Sequence, residues 1–499
     1  MAVPAVPTHS PWIFGVGCAF AGLFAYGLGA NDVANSFGTS IGSGALTMKH
    51  AIMIAAVMEV VGAVTLGAGV ADTLTKKISY LEREDCWNCH GEESKMGVYE
   101  LGMVCALASG SLFLLGATLF GLPVSTTHTI VGAVLGMTIV ATHVVCIKWL
   151  WPGLMKIVAS WFISPLLAGA LSVLLHLVIR RTVLDTAAPL RRAYVALPIL
   201  TGSTILILVM LILYQQSRVP LWEMALISLG SGVGVWAVVQ FALLSRIKRQ
   251  VEASALEIYR GTKVHGGEEE EEEAKGGLNG HGKGGVGQED GEDATEGGEG
   301  PRGIEVTTSG KSDPTEEATL LGASSGLGEA EKAKRVFMYL QILTATLKSF
   351  AHGANDVANA AGPYAAVQGL YFGQDPCGIS TTIWILILCG VGIVLGLTFS
   401  GHHVIKTIGK DLTAIDFPTG FSIELGSTLS VVLASCTGMP VSSTHCQVGS
   451  VIFIGVYENG ARAVQWSMLN KIIASWVVTV PVSALVAGAL LYFVLIFFK

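Results

Sequence analysis

The seven-residue sequence GANDVAN occurs twice, at residues 29–35 and 353–359, and each copy closes a long apolar run. On a helix, the asparagine and aspartate side chains of one copy are three or four residues apart, so their oxygens share one face. Carboxylate and carbonyl oxygens are the ligands that hard cations prefer. The sequence therefore predicts two cation sites, with the candidate ligands Asn31, Asp32, Asn35, Asn355, Asp356 and Asn359.

Two glutamates extend this candidate set. Glu59 lies in the apolar sequence VMEVVGA and Glu424 in SIELGSTLS. A carboxylate at the centre of a bilayer opposes insertion by about 2.5–3.5 kcal/mol, and a bound cation would offset that cost. The alternative is a salt bridge to a neighbouring span, which Lys348, two turns before Asp356, keeps open for the second copy. We predict that Glu59 and Glu424 are cation ligands or gates.

A second repeated element has the composition of an anion site. GLPVSTTHTIVGAVLG (121–136) returns as GMPVSSTHCQVGSVIFIG (438–455). Pro123 and Pro440 suit the first turn of a helix, where hydroxyl groups and unpaired backbone amides bind anions with the help of the helix dipole. The predicted anion ligands are Ser125, Thr126, Thr127, Ser442, Ser443 and Thr444. His128 and His445 follow at equivalent positions and are predicted to orient the site; proton transfer and simple packing are the alternatives.

One stretch matches a motif of a different class of protein. Cys86-Trp-Asn-Cys89-His90 fits C-x-x-C-H, the attachment pattern of a c-type haem. We favour a loop disulfide or an incidental match, because a five-residue pattern alone is weakly specific, and haem attachment is the alternative. The remaining cysteines, including Cys146, mostly lie singly in apolar runs, where a cysteine is typical as a small apolar residue.

The elements that position these residues must be membrane helices. The chain of 499 residues is 51% hydrophobic and 13% charged, with a mean hydropathy of +0.59, which excludes an ordinary soluble domain. Stretches of about 20 apolar residues, the length needed to cross a bilayer, predict an all-α integral membrane protein. It has about twelve transmembrane segments, seven before residue 245 and five after residue 336. The first run lacks a basic region and a cleavage site, so we interpret it as a span.

A Gly- and Glu-rich segment divides the chain. Residues 246–335 cannot bury enough apolar area to offset their ordering entropy, so we predict a disordered linker between membrane halves 1–245 and 336–499. Its acidic run Glu268 to Glu273 is predicted to be a solvated spacer; binding of divalent cations or a basic partner is the alternative. Basic residues crowd one short loop and both ends of the linker, and placing them in the cytoplasm puts both termini outside. These residues are Arg180, Arg181, Arg191, Arg192, Arg246, Lys248, Arg249, Lys332, Lys334 and Arg335.

The repeat extends beyond the two motifs. KIVASW (156–161) returns as KIIASW (471–476), in the same order as the other elements, which places repeat 1 within residues 12–180. Seven predicted spans separate equivalent helices, and an odd number means that the halves cross the membrane in opposite senses. This pattern predicts two inverted-topology repeats with broken helices at the midplane, the plan of many secondary transporters.

With these motifs, the sequence resembles the inorganic phosphate transporter (PiT) family, the sodium-phosphate symporters. GANDVANSFGTSIGSGALT (29–47), HGANDVANAAGP (352–363) and the two PVS-[ST]-TH elements carry the resemblance over both halves. It implies Na⁺-coupled phosphate uptake by alternating access, ion coupling at both aspartates, transport roles for Glu59 and Glu424, and phosphate binding at the Ser/Thr residues. It also implies a homodimer, external termini and a cytoplasmic central loop, and we expect the protein in the plasma membrane.

The resulting expectation is a multi-pass symporter whose partners are phosphate, sodium ions and the lipid bilayer. We expect no enzyme activity, no nucleic-acid partner, and no cofactor besides Na⁺ as coupling ion. The nearest alternative is a proton-coupled transporter, or one for another tetrahedral oxyanion such as sulfate or arsenate. The alternative from another class is a membrane redox, haem or receptor protein.

Overall fold

The computed structural model describes residues 6–76, 78–91, 93–151, 153–215, 219–256, 328–407, 414–436 and 441–498. The described residues are helical, apart from loops and one isolated β-bridge. Pro440 and most of the predicted linker lie outside them. The described parts of the two membrane halves, within residues 1–244 and 333–499, form one compact unit.

The described residues of the first half contain eight helices. They are α1 (Pro11–Leu28), α2 (Ala34–Gly42), α3 (Met48–Lys76), α4 (Met96–Leu119), α5 (Thr126–Ala141), α6 (Leu154–Ile179), α7 (Pro189–Gln215) and α8 (Leu221–Ala237). A π-helical turn, Gly29–Val33, joins α1 to α2, and two more, Arg180–Leu184 and Val238–Leu243, follow α6 and α8. The first GANDVAN sequence thus lies where a long helix is interrupted.

The second half contains seven helices within the described residues. They are α9 (Glu329–Asp356), α10 (Ala358–Tyr371), α11 (Ile383–Ser400), α12 (His402–Lys406), α13 (Phe417–Cys436), α14 (Ser443–Asn459) and α15 (Trp466–Ile496). The second GANDVAN sequence lies at the break between α9 and α10. The predicted linker boundaries fall within helical residues, because helix continues to Leu256 and α9 begins at Glu329. Disorder of residues 257–327 stays a prediction.

Nine helical segments in the described residues are long and apolar enough to cross a membrane. Three others are shorter, namely α5 with 16 residues, α10 with 14 and α14 with 17. At 1.5 Å per residue each is at most about 26 Å long, less than the ~30 Å hydrocarbon core. The all-helical, multi-pass prediction is confirmed, whereas the count of twelve stays a prediction.

The α4–α5 hairpin begins and ends on one face of the protein, which we call the disulfide face because Cys86, Cys89, Cys146 and Cys377 lie there. The loop before α4 pairs with the segment after α5: Tyr80 N–H donates to Cys146 O (3.0 Å) and Lys148 N–H to Ile78 O (2.9 Å). Since α5 is too short to return from the far side, its first residue lies inside the membrane.

The α13–α14 hairpin begins and ends on the opposite face, which we call the arginine face after Arg180, Arg191, Arg192 and Arg462. Glu458, at the end of α14, is 2.8 Å from His176 Nε2, and Ser422, near the start of α13, is 3.5 Å from His176 Nδ1. His176 lies at the end of α6, whose first residue follows the disulfide face. The two hairpins therefore enter from opposite faces, as inverted repeats require.

The repeats exchange their short helices. α5 packs on α15 of the second half, and α14 packs on α6 of the first. Two glycines of the repeated motif permit close approach: a Cβ on Gly29 would collide with the carbonyl oxygen of Ile393, and one on Gly353 with that of Glu59. Each broken helix is therefore held against a helix of the other half.

Candidate functional site

Asp32 connects the two hairpins. Its Oδ2 accepts a hydrogen bond from Thr126 Oγ1 (2.5 Å), and its Oδ1 accepts one from Thr444 Oγ1 (2.6 Å). These threonines lie in the first turns of α5 and α14, and all three residues are buried. A single carboxylate thus contacts the N-terminal turns of two helices that come from opposite faces.

The second asparagines of the two GANDVAN copies repeat one contact. Asn35 Nδ2 donates to Thr444 Oγ1 (2.9 Å), while Asn359 Nδ2 donates to Thr127 Oγ1 (3.3 Å) and to Thr126 Oγ1 (3.1 Å). Thr127 and Thr444 are equivalent positions of the two repeats. The site therefore has an approximate twofold arrangement, in which each broken helix contacts the opposite hairpin.

The N-termini of both hairpin helices are capped by serine. Ser125 Oγ accepts from His128 N–H (3.2 Å), and Ser442 Oγ accepts from His445 N–H (3.3 Å). Capping satisfies one amide at each end, and further first-turn amides remain available for an anion. The six predicted anion ligands are all buried, so an anion bound there would be removed from bulk water.

Asp356 lies beside Asp32. One ligand atom from each of Asp32, His352 and Asp356 lies within 4.8 Å of the others. Asp356 Oδ2 is 3.3 Å from His352 Nε2, and the other ring nitrogen of His352 is 2.8 Å from Glu59 Oε2. Three predicted cation ligands are thus joined through one histidine.

The oxygen atoms around this cluster fit a cation. Asn35 Oδ1 is buried and accepts no hydrogen bond from the described residues, and the buried Asp356 Oδ2 has an ion-pair contact with His352 instead of a hydrogen bond. Such atoms are costly to bury without a partner. A sodium ion, which is coordinated by carboxylate and carbonyl oxygens, would satisfy both.

Two of the predicted cation ligands, Asn31 and Asn355, do not lie on a shared ligand face. Asn31 Oδ1 accepts from Val124 N–H (2.9 Å), and its Nδ2 donates to Leu122 O (3.0 Å), so Asn31 fixes the turn before α5. Asn355 Nδ2 donates to Asp356 Oδ1 at 3.2 Å. The amide of Asn31 is therefore already satisfied by protein, unlike that of Asn35.

Glu424 forms a separate cluster. Its Oε1 accepts from Thr39 and Ser40 at 2.6 Å each and from Gln341 at 3.3 Å, and its Oε2 accepts from Thr344 at 2.7 Å. Four donors surround one buried carboxylate and tie α2 to α9 and α13. These four hydrogen bonds favour a structural role for the Glu424 carboxylate, which they hold in place where the two repeats meet.

Asp356 lies beside a basic residue, but this residue is not Lys348, which the sequence left open as its salt-bridge partner. Lys348 hydrogen-bonds Gln447 instead of pairing with Asp356. The basic side chain beside Asp356 is instead that of His352, which the sequence analysis did not single out. His352 is one helical turn before Asp356, and a polar residue at that spacing in an apolar run is the signal that could have found it.

The paired histidines are buried against aromatic rings. The rings of His128 and His445 are 4.5 Å apart and perpendicular, and each contacts a tryptophan, Trp161 at 3.9 Å or Trp476 at 3.8 Å. Their backbone amides contact the capping serines. An orienting role for these histidines stays a prediction, and the ring contacts fit the alternative of simple packing equally well.

The C-x-x-C-H stretch is not a haem site. Cys86 is bonded to Cys146, and Cys89 to Cys377, so neither sulfur is free for a thioether bond. The interpretation of Cys146 as a small apolar residue was wrong. The prediction of a loop disulfide is correct in kind, although the two cysteines of the motif do not pair with each other.

Inverted repeats, broken helices and a buried polar site at their junction define a secondary membrane transporter. The chain belongs to the phosphate transporter family, whose model matches residues 28–487. It is 30% identical to sodium-dependent phosphate transporter 1-A of Danio rerio, covering 96% of this chain and 94% of the relative. It is also 30% identical to a putative phosphate permease of Pyrococcus abyssi, covering 93% of each.

A solved structure gives the same result. The structure described as "The sodium-dependent phosphate transporter" matches with a TM-score of 0.74 and 29% sequence identity, covering 97% of this chain and 99% of that one. The family that the motifs indicated and the all-helical membrane fold are thereby confirmed.

Proposed function

We propose that the protein imports inorganic phosphate together with sodium ions by alternating access. The observation that carries this proposal is the contact of Asp32 with Thr126 and Thr444. A carboxylate between two helix N-termini occupies the place that a bound anion would need. A cation that neutralises Asp32 converts this region from anion-repelling to anion-binding.

Phosphate would bind to the hydroxyl groups and first-turn amides of both hairpins, at Ser125, Thr126, Thr127, Ser442, Ser443 and Thr444. Sodium would bind at the neighbouring oxygens of Asp32, Asn35, Asp356 and Asn359. Because the ligands come from both repeats, a rocking motion of one repeat against the other would open the site to either face. Ions bind first in this scheme, because phosphate is repelled until the carboxylates are neutralised.

The membrane potential sets a lower bound on coupling. Moving HPO₄²⁻ inward against −100 mV costs about 4.6 kcal/mol, at roughly 2.3 kcal/mol per charge. Two sodium ions cancel this electrical cost, and each tenfold sodium gradient adds about 1.4 kcal/mol per ion. Two adjacent aspartates suit two cations.

The cell setting that we propose is a plasma-membrane homodimer, with the disulfide face and both termini outside and the linker in the cytoplasm. No cofactor and no enzymatic step is needed.

One observation favours protons as the coupling ion instead. His352 bridges Glu59 and Asp356, and a carboxylate–histidine–carboxylate chain can carry a proton as well as balance a charge. This second candidate keeps the same fold and the same anion site.

Uptake of labelled phosphate into liposomes containing the purified full chain tests both candidates. An inward Na⁺ gradient, its replacement by choline, and an inward pH gradient at equal Na⁺ form the three arms. Sodium coupling predicts uptake in the first arm only, and proton coupling predicts uptake in the third. Sulfate that is taken up as well as phosphate in the first arm would overturn the assignment of the substrate.

A further inference from the structure

A groove on the arginine face lies between the end of α6 and the start of α7. It has a volume of about 620 Å³, with Val178 and Thr182 on one side and Arg191, Arg192 and Val195 on the other. This groove has no role in the proposed transport of phosphate and sodium, because none of its lining residues contacts the Asp32–Asp356 site.

The two arginines of the groove are exposed and have no carboxylate partner among the described residues. The nearby acid, Asp185, pairs with Arg180 at 3.0 Å. Arg192 Nη1 donates a hydrogen bond to the carbonyl oxygen of Thr182 at 3.2 Å, which holds the guanidinium group at the groove. Guanidinium groups that lack an anion are suited to bidentate recognition of a phosphate.

The groove continues from these cations onto an apolar surface. Val178 is 50% exposed, Val195 58% and Ile199 52%. Val195 and Ile199 follow Arg191 at intervals of four residues, so the three lie in one row along α7. Both helices belong to candidate membrane spans, Leu154–Leu184 and Pro189–Tyr214. The arginines thus lie near the membrane surface and the apolar residues within the bilayer.

We propose that this groove binds an anionic phospholipid, whose phosphate contacts Arg191 and Arg192 and whose acyl chain lies along Val195 and Ile199. The charge of the headgroup complements the arginines, and an acyl chain complements the apolar row. Basic pockets between membrane helices on the cytoplasmic side bind anionic headgroups in this way. A free phosphate ion would use only the cationic half of the groove.

The test is lipid binding by the full chain, measured by native mass spectrometry in detergent with phosphatidylserine or phosphatidylcholine. We expect the wild type to bind phosphatidylserine more tightly than phosphatidylcholine. Each arginine near a charged lipid contributes about fivefold in affinity, so R191Q/R192Q should lose about 25-fold. R191K/R192K keeps the charge and should lose less. Arg462→Gln, an exposed arginine of the same face outside the groove, is the matched control and should change nothing.

Four outcomes would overturn the proposal. Equal affinity for the two lipids would remove the headgroup contact, as would an R191Q/R192Q variant that binds phosphatidylserine like the wild type. Displacement of the lipid by millimolar inorganic phosphate would assign the groove to the free ion. Phosphatidylserine binding that begins only after Glu268 to Glu273 are replaced by glutamine would show that the acidic run is the occupant. Persistence of lipid binding in Asp32→Asn would separate this site from transport.

Discussion

Asp32 and Asp356 belong to opposite repeats, yet their carboxylate oxygens lie within 4.8 Å of each other. Two buried carboxylates at this separation cannot both keep their charge without compensation. His352 supplies one neighbouring group, and the bound cations that we propose would supply the rest. The adjacency links ion binding to phosphate binding, because the same Asp32 contacts both hairpins.

The Glu59–His352 contact should act as a unit. We expect Glu59→Gln and His352→Gln each to lower phosphate uptake about 10- to 100-fold, because each leaves a buried partner uncompensated. The double variant should take up phosphate no more slowly than the slower of the two single variants. A double-mutant cycle of uptake rates should therefore give a coupling free energy of about 1–3 kcal/mol.

Ser349→Ala is the matched control for this cycle, because Ser349 donates a neutral hydrogen bond to Glu59 at 2.8 Å. Its loss should cost about fivefold. Strictly additive effects of Glu59→Gln and His352→Gln would contradict a functional connection between the two side chains.

The twofold arrangement of asparagines predicts similar effects in both repeats. Asn35→Ala and Asn359→Ala should each raise the half-saturating phosphate concentration about five- to tenfold, because each amide orients a threonine of the opposite hairpin. Asn31→Ala should instead lower stability by about 1–3 kcal/mol, because Val124 N–H loses its acceptor. Initial uptake rates and denaturant unfolding separate these cases. An Asn359→Ala variant with unchanged phosphate dependence would rule out the twofold scheme.

The Cys89–Cys377 disulfide connects the two membrane halves. If a protease site is inserted within residues 257–327 and cut, the halves should migrate together in non-reducing gel electrophoresis and separate after reduction. Cys377→Ser should separate in both conditions. Cys146→Ser, which removes the bond to Cys86 within the first half, should still migrate as one species without reductant. Separation of the unreduced wild type would contradict this connectivity.

Asp416 caps α13, and its stabilising effect should depend on pH. Thr419 N–H donates to Asp416 Oδ1 (3.1 Å), and Lys334 Nζ is 3.0 Å from Oδ2. Burial raises the pKa of Asp416, but the hydrogen bonds from Thr419 and the charge of Lys334 outweigh burial and hold the pKa below its usual value. The stabilisation is therefore present above the unfolded-state pKa of about 3.9 and is lost as pH falls through the lower folded-state pKa.

Denaturant unfolding at several pH values measures this effect. Asp416→Ala should cost about 1 kcal/mol at neutral pH and little near pH 2. Asp416→Asn keeps a good cap and should retain part of the stability without this pH dependence. Equal destabilisation by Asp416→Ala at both pH values would argue against the cap as its source.

The repeated motifs made much of the site predictable from sequence. Asp32, Asn35, Asp356 and Asn359 were predicted because the same polar letters recur in two apolar contexts, and an odd number of spans between them predicts inverted halves. The threonines of the hairpins were predicted because a repeated Pro-Val-Ser element suits a helix start, where hydroxyl groups and backbone amides bind anions.

Other parts depend on contacts that the sequence does not specify. His352 has no polar counterpart in the first repeat, where Leu28 occupies the equivalent position, so comparison of the repeats could not reveal it. The four donors to Glu424 come from α2 and α9, both far away in sequence. Disulfide connectivity likewise cannot be deduced from cysteine spacing alone, which explains why Cys146 was misinterpreted.

Equilibrium binding of labelled phosphate to the purified protein, titrated with Na⁺ at constant ionic strength, tests the central claim most directly. We predict that the wild type binds phosphate only when Na⁺ is present. Asp32→Asn, which removes the charge that sodium would neutralise, should lose the sodium dependence and bind phosphate weakly at any Na⁺ concentration. Wild-type binding that is equally tight in Na⁺ and in choline would contradict the account, since phosphate would then need no cation beside Asp32 and Asp356.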